Sequence, residues 1–427
     1  MLALNRFHDE PQQLLKAFQN KKLTNAEAIV NQVAQLAEQR KTIIQELDNA
    51  RAEMNQAAKS IGQLMSQGKK DEAETAKANT KNLKTRIAEK EDELKSTSEE
   101  LNKLLAGLPN PAHPSVPVGF TEADNVIVEE GGSPLVTRAE GALLPHWELA
   151  EKHQLIDFER GTKVTGAGFP VYTGKGARLQ RALINFFLDR AAAQGYQETE
   201  PPFLINRNSG FGTGQLPDKD GQMYHISADD LFLIPTAEVP LTNLFREEIL
   251  PGDALPQKRC AYSPCFRREA GSYGKDVRGL NRLHQFDKVE IVQLVHPEES
   301  YHTLEQMREY ATGLLNALEL QWRTLLLCTG DTTFAAAKTY DLEVYSAAQE
   351  RWLEVSSVSN FEEFQARRMN CRFRSEGKKT QFVHTLNGSA LALPRIVAAL
   401  LEHHQQPDGS IRIPQALQAY TGFDTIG

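Results

Sequence analysis

Residues 265–290 read CFRREAGSYGKDVRGLNRLHQFDKVE and continue as IV into an apolar run. Arg267, Arg268, Glu269, Lys275, Arg278 and Arg282 crowd around glycines, and the stretch closes on Phe286 and Glu290. Two strands joined by so long a polar loop would set arginines over one end of a sheet. Planar guanidinium groups placed there can hold phosphate oxygens in two-point contacts. A charged surface hairpin is the plainer reading of the same residues taken alone.

The surroundings read as mixed α and β. ARLQRALINFFLDRAAAQ and SYHTLEQMREYATGLLNALEL carry helical periodicity, whereas DLFLIP, KVEIVQLV, YDLEVYS and RWLEVSSVS are branched or alternating like strands. No GxGxxG follows a strand and no GxxxxGK[ST] is present, so neither a dinucleotide fold nor a P-loop is supported. Three other segments bear chemistry. TAEVPLTN offers Thr236 and Glu238 on one side of an extended chain, suited to an ammonium or hydroxyl group. LEVSSVSN places Glu354 and Ser356 on one strand face, with Ser357 opposite unless the strand is bulged; a carboxylate with a hydroxyl can hold Mg²⁺, and an ordinary edge strand reads the same. NGSALALPRIVAALLE joins small residues to a helix with Arg395 near its start, where dipole and guanidinium both favour phosphate.

The first hundred residues are built differently. No Phe, Tyr or Trp lies between Phe18 and Phe120, and no Gly or Pro between Pro11 and Gly62. A 3,4 spacing runs through Val33, Leu36, Arg40, Ile43, Leu47, Ala50, Met54, Ala57, Ile61 and Leu64. A second, more polar seam runs through Ala73, Ala76, Thr80, Leu83, Ile87, Lys90, Leu94, Thr97, Leu101 and Leu104. SQGKKDE, with Gly68, turns the chain between them. Thr24 and Glu27 read as a capping box that starts the first helix, and Gly107, Pro109 and Pro111 stop the second. The expectation is an antiparallel helical hairpin over about 28–105, with helices roughly 60 Å long at ~1.5 Å per residue. Such a hairpin can serve as a spacer or dimerising coiled coil. Lys69, Lys70, Lys77, Lys81, Lys84, Arg86 and Lys90, at and below its tip, can equally meet phosphates or simply solvate it.

With 427 residues, a chain at ~150 residues per domain holds two or three folded units, and the Pro-rich LPNPAHPSVPVGF marks a boundary near 110. A net charge of −8, from 48 Lys+Arg against 56 Asp+Glu, excludes nucleic-acid binding by bulk positive charge. The charge is uneven, about +1 in residues 1–110 and −9 in the rest. MLALNRFHDE lacks the apolar run of a secretory signal, and no window approaches the ~20 apolar residues of a membrane span. Cys260, Cys265, Cys328 and Cys371 are too scattered for a disulfide framework or a CxxC knuckle. A cytoplasmic protein with reduced thiols and no membrane partner is expected.

In this order, the segments closely resemble the seryl-tRNA synthetase family of class II aminoacyl-tRNA synthetases, along nearly the whole chain. The resemblance is carried by the helical arm, FGTGQLP at 211–217, TAEVP at 236–240, the 265–290 stretch, TYDLEV at 339–344, EVSSVSNFEEFQARR at 354–368 and TLNGSALALPR at 385–395. It implies an α+β fold, with an antiparallel class II synthetase sheet flanked by helices in residues 111–427, preceded by a tRNA-binding coiled-coil arm in 1–110. The helix before GYQETEPP, with Pro202, looks like the family's first motif, near a homodimer interface. The implied reaction joins L-serine and ATP into seryl adenylate, then transfers the seryl group to the 3′ end of tRNA(Ser), whose long variable arm the hairpin recognises.

By the same resemblance Arg267 binds the α-phosphate and Arg395 the γ-phosphate as the catalytic pair. Arg268, Glu269, Leu283, Phe286, Val355 and Ser356 complete the ATP site, with Phe286 stacked on adenine. Glu354 and Ser357 hold Mg²⁺ with ATP. Thr236, Ala237, Glu238, Glu290 and Ser389 bind serine. No zinc is expected, and His403 and His404 read as helix-surface residues. Ala390 and Pro394 stand where the third motif usually has glycines, and Arg268 where many relatives have serine.

Overall fold

A computed structural model describes residues 1–133, 143–218, 220–269 and 278–427. Lys275 therefore lies outside the described residues. The chain divides into two compact units, Leu2–Pro109 and Asn110–Gly427, the latter with Met1.

In the first unit, helix α1 (Ala26–Ser66) runs antiparallel to helix α2 (Lys70–Ala106). The direction follows from cross-helix pairs whose numbers rise on one side and fall on the other: Gln32 with Glu100, Arg40 with Ser98, Glu46 with Lys90, and Glu53 with Arg86. Both expected seams face inward. Val33, Leu36, Ile43, Leu47 and Ala50 are buried on α1 and Ala73, Thr97 and Leu101 on α2, and the remaining seam positions are half-buried. At the far end of α2 the fully buried residue is Leu105 rather than Leu104, because a straight 3.6-residue helix drifts out of a strict heptad. The two charged seam residues keep their heads at the edge: Arg40 Nε donates to Ser98 Oγ at 3.2 Å, and Lys90 pairs with Glu46 at 2.7 Å. Gly68 takes a positive φ in the turn, and Gly107 caps α2. The capping box does not form. Asn25, not Thr24, is the N-cap, in the left-handed region that its short side chain tolerates, and no side chain caps the helix.

The second unit is organised on an eight-stranded sheet: β1 (Val126–Gly131), β2 (Gln197–Glu198), β3 (Gln257–Phe266), β4 (Gln285–Val295), β5 (Trp322–Leu326), β6 (Lys338–Ser346), β7 (Arg351–Asn360) and β8 (His384–Ala392). Their order is β1-β5-β6-β7-β8-β4-β3-β2, antiparallel except for the short β2–β3 pair. Helices α3 (His146–Lys152), α4 (Gly174–Ala193), α5 (Glu238–Asn243), α6 (Ser300–Ala317), α7 (Phe364–Met369) and α8 (Leu393–His403) flank it. Leu183 and Phe186 of α4, Leu304 and Met307 of α6, and Ile396 and Val397 of α8 share one core with Val289, Ile291, Leu342 and Leu386 of the strands. This is the α+β, antiparallel arrangement expected.

Two local readings change. TAEVP is not extended, since Glu238 already opens α5; the Thr236 hydroxyl accepts the Glu238 N–H at 3.1 Å and bends the chain there. His403 and His404 are buried, not on a surface, because α8 is covered all round and Arg395 alone escapes burial. His404 Nε2 donates to the Leu318 carbonyl at 3.0 Å, and burial pushes its pKa down to about 4. No helix among the described residues is long and apolar enough to cross a membrane, and the four cysteines are buried and unpaired.

Candidate active site

The adjacent strands β3 and β4 deliver Arg267, Glu269 and residues 280–290 to one end of the sheet, where they border a cavity of about 680 Å³. Cys265 pairs with Phe286 in register, so Arg267 emerges beside that ring, its guanidinium carbon 5.2 Å from the centroid. Such stacking orients the planar group while leaving its N–H edge available. Arg282 donates to Glu269 at 2.9 Å on the same wall. The same cavity is lined by Arg395 of α8, whose Nε donates to the Asn281 carbonyl at 3.1 Å and whose Nη1 donates to the Glu354 carbonyl at 2.6 Å.

A polar cluster lies deeper. Glu290 pairs with Ser389 in register across β4 and β8. Thr236 Oγ1 donates to Glu290 Oε2 at 3.1 Å, and Lys288 Nζ is 2.5 Å from the same oxygen. Glu238 accepts from Gln365 Nε2 at 2.7 Å; Gln365 is held in turn by Thr385 Oγ1 at 2.6 Å. Burial, and then the neighbouring Glu290, push the Glu238 carboxyl up to about 7. Burial also raises Glu290, against the pull of Lys288. Two desolvated carboxylates with a single close ammonium form a pocket short of positive charge, chemistry that suits a small cationic ligand.

The bulge on which a metal site depends is present. Leu342 pairs with Ser356 and Glu343 with Glu354, leaving Val355 as the extra residue. The slip brings Glu354, Val355, Ser356 and Ser357 all to the cavity wall. Asp341, opposite Ser357, is half-buried, and its Oδ1 is shielded from solvent with no hydrogen-bond partner among the described residues. Burial, and next Glu354, push its pKa well up. An orphaned buried oxygen beside a carboxylate and a hydroxyl is a donor set that fits a hard divalent cation.

The cavity thus gathers Thr236, Glu238, Arg267, Glu269, Leu283, Phe286, Glu290, Glu354, Val355, Ser356, Ser357, Ser389 and Arg395. Ala237 lies behind it in the core, and Arg268 is exposed beside it, its N–H on the Gln222 carbonyl. Arg278 stacks on Trp147 at 4.5 Å instead. Lys288 was missed, although its place two positions before Glu290 on the same strand face was a signal for it. Gln365 was not, because nothing local ties it to Glu238. Arg368 also escaped notice: it is buried and donates to the Phe211 and Leu216 carbonyls at 2.6 and 2.8 Å. It thereby supports FGTGQLP, of which Thr213, Gly214, Gln215 and Pro217 line the cavity.

Residues 1–112 match the seryl-tRNA synthetase N-terminal domain, and residues 224–404 match the tRNA synthetase class II core domain (G, H, P, S and T). A serine–tRNA ligase of Salinibacter ruber is 53% identical over the whole chain and 99% of its own length. The chain belongs to the seryl-tRNA synthetase family. A serine–tRNA ligase of Pelodictyon phaeoclathratiforme is 48% identical, again over all of this chain and 99% of the relative. The crystal structure of seryl-tRNA synthetase from Pyrococcus horikoshii complexed with ATP superimposes with a TM-score of 0.93 at 35% identity, covering 100% of this chain and 99% of that one. The chain is a class II aminoacyl-tRNA synthetase with serine–tRNA ligase activity: it activates L-serine with ATP and transfers the seryl group to the 3′ end of tRNA(Ser).

Proposed function

We propose that ATP and serine occupy the cavity end to end, ATP between Arg267 and Arg395 and serine on the Thr236, Glu238, Glu290 and Ser389 cluster. The observation that carries this reading is one cavity lined by two guanidiniums from different elements, Arg267 stacked on Phe286 and Arg395 on α8, together with the buried carboxyls of Glu238 and Glu290. Phe286 stacks on adenine, with Glu269, Leu283, Val355 and Ser356 beside the nucleoside and Arg268 at the rim. The serine ammonium faces Glu238, and its hydroxyl finds Thr236 and Glu290, with Ser389 alongside. Alanine would leave those buried polar atoms unpaired, a stronger ground for rejection than lost contact area.

The serine carboxylate attacks the α-phosphorus and pyrophosphate leaves. Arg267 meets the charge that grows on the α-phosphate oxygens, and Arg395 holds the γ-phosphate so that the leaving group stays in line. In the second step a ribose hydroxyl of the tRNA's terminal adenosine attacks the carbonyl of seryl adenylate, and AMP leaves. Glu354 and Ser357 would hold Mg²⁺ with ATP, where the ion neutralises phosphate charge. Residues 1–110 form the tRNA-binding arm, with exposed Lys70, Lys77, Lys81 and Lys84 near its tip. The enzyme works as a homodimer in the cytoplasm. Support for the dimer comes from edge strand β1, whose Val126, Ile127 and Val128 are 46%, 48% and 44% exposed, an open apolar edge of the kind that pairing covers.

Glu238 provides the test. A carboxyl raised to about 7 is neutral below that pH and charged above it. Capture of the serine ammonium needs the charged form, so affinity is lost as pH falls through 7. KM for serine in pyrophosphate exchange is expected to rise about tenfold per pH unit below ~6, while KM for ATP changes little. Glu238→Gln should raise KM for serine and flatten the profile. A wild-type KM for serine that stays level from pH 5 to 8 would contradict the assignment.

A further inference from the structure

His146, on α3, is completely buried behind the nucleotide wall and does not itself line the cavity. Its Nδ1 lies 2.8 Å from Glu402 Oε1, and its Nε2 lies 2.9 Å from the backbone nitrogen of Leu280. A backbone N–H can only donate, so Nε2 carries the lone pair and Nδ1 the proton given to Glu402. A single neutral tautomer satisfies both ends. Glu402, equally buried near the end of α8, also accepts the His146 N–H at 3.0 Å, the Ser346 hydroxyl and the Gln349 amide at 3.3 Å.

The same cluster holds the next residues. Gln349 Oε1 accepts from Asn281 Nδ2 at 2.9 Å, and the Asn281 carbonyl accepts Arg395 Nε. Gly279 has a φ of +65°, and a Cβ there would lie 2.2 Å from His146 Nε2. Trp147 carries the Arg278 guanidinium on its ring. Residues 278–281 are therefore gripped one after another, and they lead directly into Leu283 and Phe286. No group of this cluster belongs to the serine pocket, which is built on Thr236, α5 and the middle of β4.

We propose that His146 is a positioning residue for ATP. Through the Leu280 N–H it sets the path of 280–286, and through Glu402 it ties that path to the helix bearing Arg395. The inference rests on the reading of Leu283 and Phe286 as ATP contacts. Its signature is selective, a change in KM for ATP without a matching change in KM for serine, whereas loosening of the fold would move both.

Two variants of the full chain separate the two ends of the imidazole in serine-dependent pyrophosphate exchange. His146→Asn has an amide short enough to meet Glu402 but not Leu280; His146→Gln is long enough to offer its carbonyl oxygen to the Leu280 N–H. His146→Asn is expected to raise KM for ATP about tenfold with KM for serine within about twofold, and His146→Gln to recover most of the loss. Gln349→Met, which releases Asn281 from a half-buried position, is expected to raise KM for ATP about threefold and serves if the His146 variants do not fold. An unchanged KM for ATP in His146→Asn, or in Gln349→Met where that variant must serve, overturns the inference, as do equal rises for ATP and serine. Phe286→Ala distinguishes the failures. If it raises KM for ATP while His146→Asn does not, the inference falls and the ATP reading stands; if neither moves it, the ATP reading falls as well.

Discussion

Arg267→Ala is expected to lower serine-dependent pyrophosphate exchange by about 1,000-fold, the range found when one preorganised donor to a developing charge is removed. The loss should fall mainly on kcat, because the group is aimed at charge that grows during attack and not at the whole of bound ATP. Arg267→Lys should restore little. An ammonium neither stacks flat on Phe286 nor presents two parallel N–H groups to a phosphate. Thermal stability should barely change, since Arg267 is only half-buried and its side chain packs on that one ring. Exchange within tenfold of wild type in Arg267→Ala, measured with saturating ATP and serine, would remove Arg267 from the reacting centre.

The second large effect separates the two chemical steps. Deleting residues 28–105 and joining the cut ends with a short linker is expected to leave pyrophosphate exchange within about threefold and to cut charging of tRNA(Ser) by more than about 1,000-fold. The antiparallel hairpin makes this feasible, because residues 28 and 105 lie side by side at its base, in the layer where Val30, Leu101 and Leu105 are buried. The hairpin's seam is its own, and the sheet's core is built from other residues. Charging that survives the deletion would show that the arm is a spacer and not the tRNA-reading element. A parallel loss of exchange would show instead that the catalytic unit depends on it.

The elements readable in advance were those with a strong local signal. Heptad spacing placed both seams of the hairpin, and the arginine-rich loop between two apolar runs placed β3 and β4 together. The bulge in LEVSSVSN was foreshadowed because Glu354 and Ser357 cannot share a face of a regular strand. Thr24 failed as a cap because cap chemistry alone does not decide where the first left-handed residue falls, and Asn25 took that position. His403 and His404 failed because a helix covered all round has no polar face for its histidines to mark. Gln365, Arg368 and the His146–Glu402 pair were illegible for a further reason: each acts on residues more than 100 positions away, through contacts that only the completed fold creates.

The central proposal is that Arg267 and Arg395, both lining the cavity, hold the triphosphate of ATP from two sides. The most direct measurement is a crystal structure of the full chain with Mg²⁺ and a non-hydrolysable ATP analogue. The expected result is Arg267 hydrogen-bonded to the α-phosphate with the adenine on Phe286, and Arg395 hydrogen-bonded to the γ-phosphate. A bound analogue with either guanidinium turned away from its phosphates would contradict it.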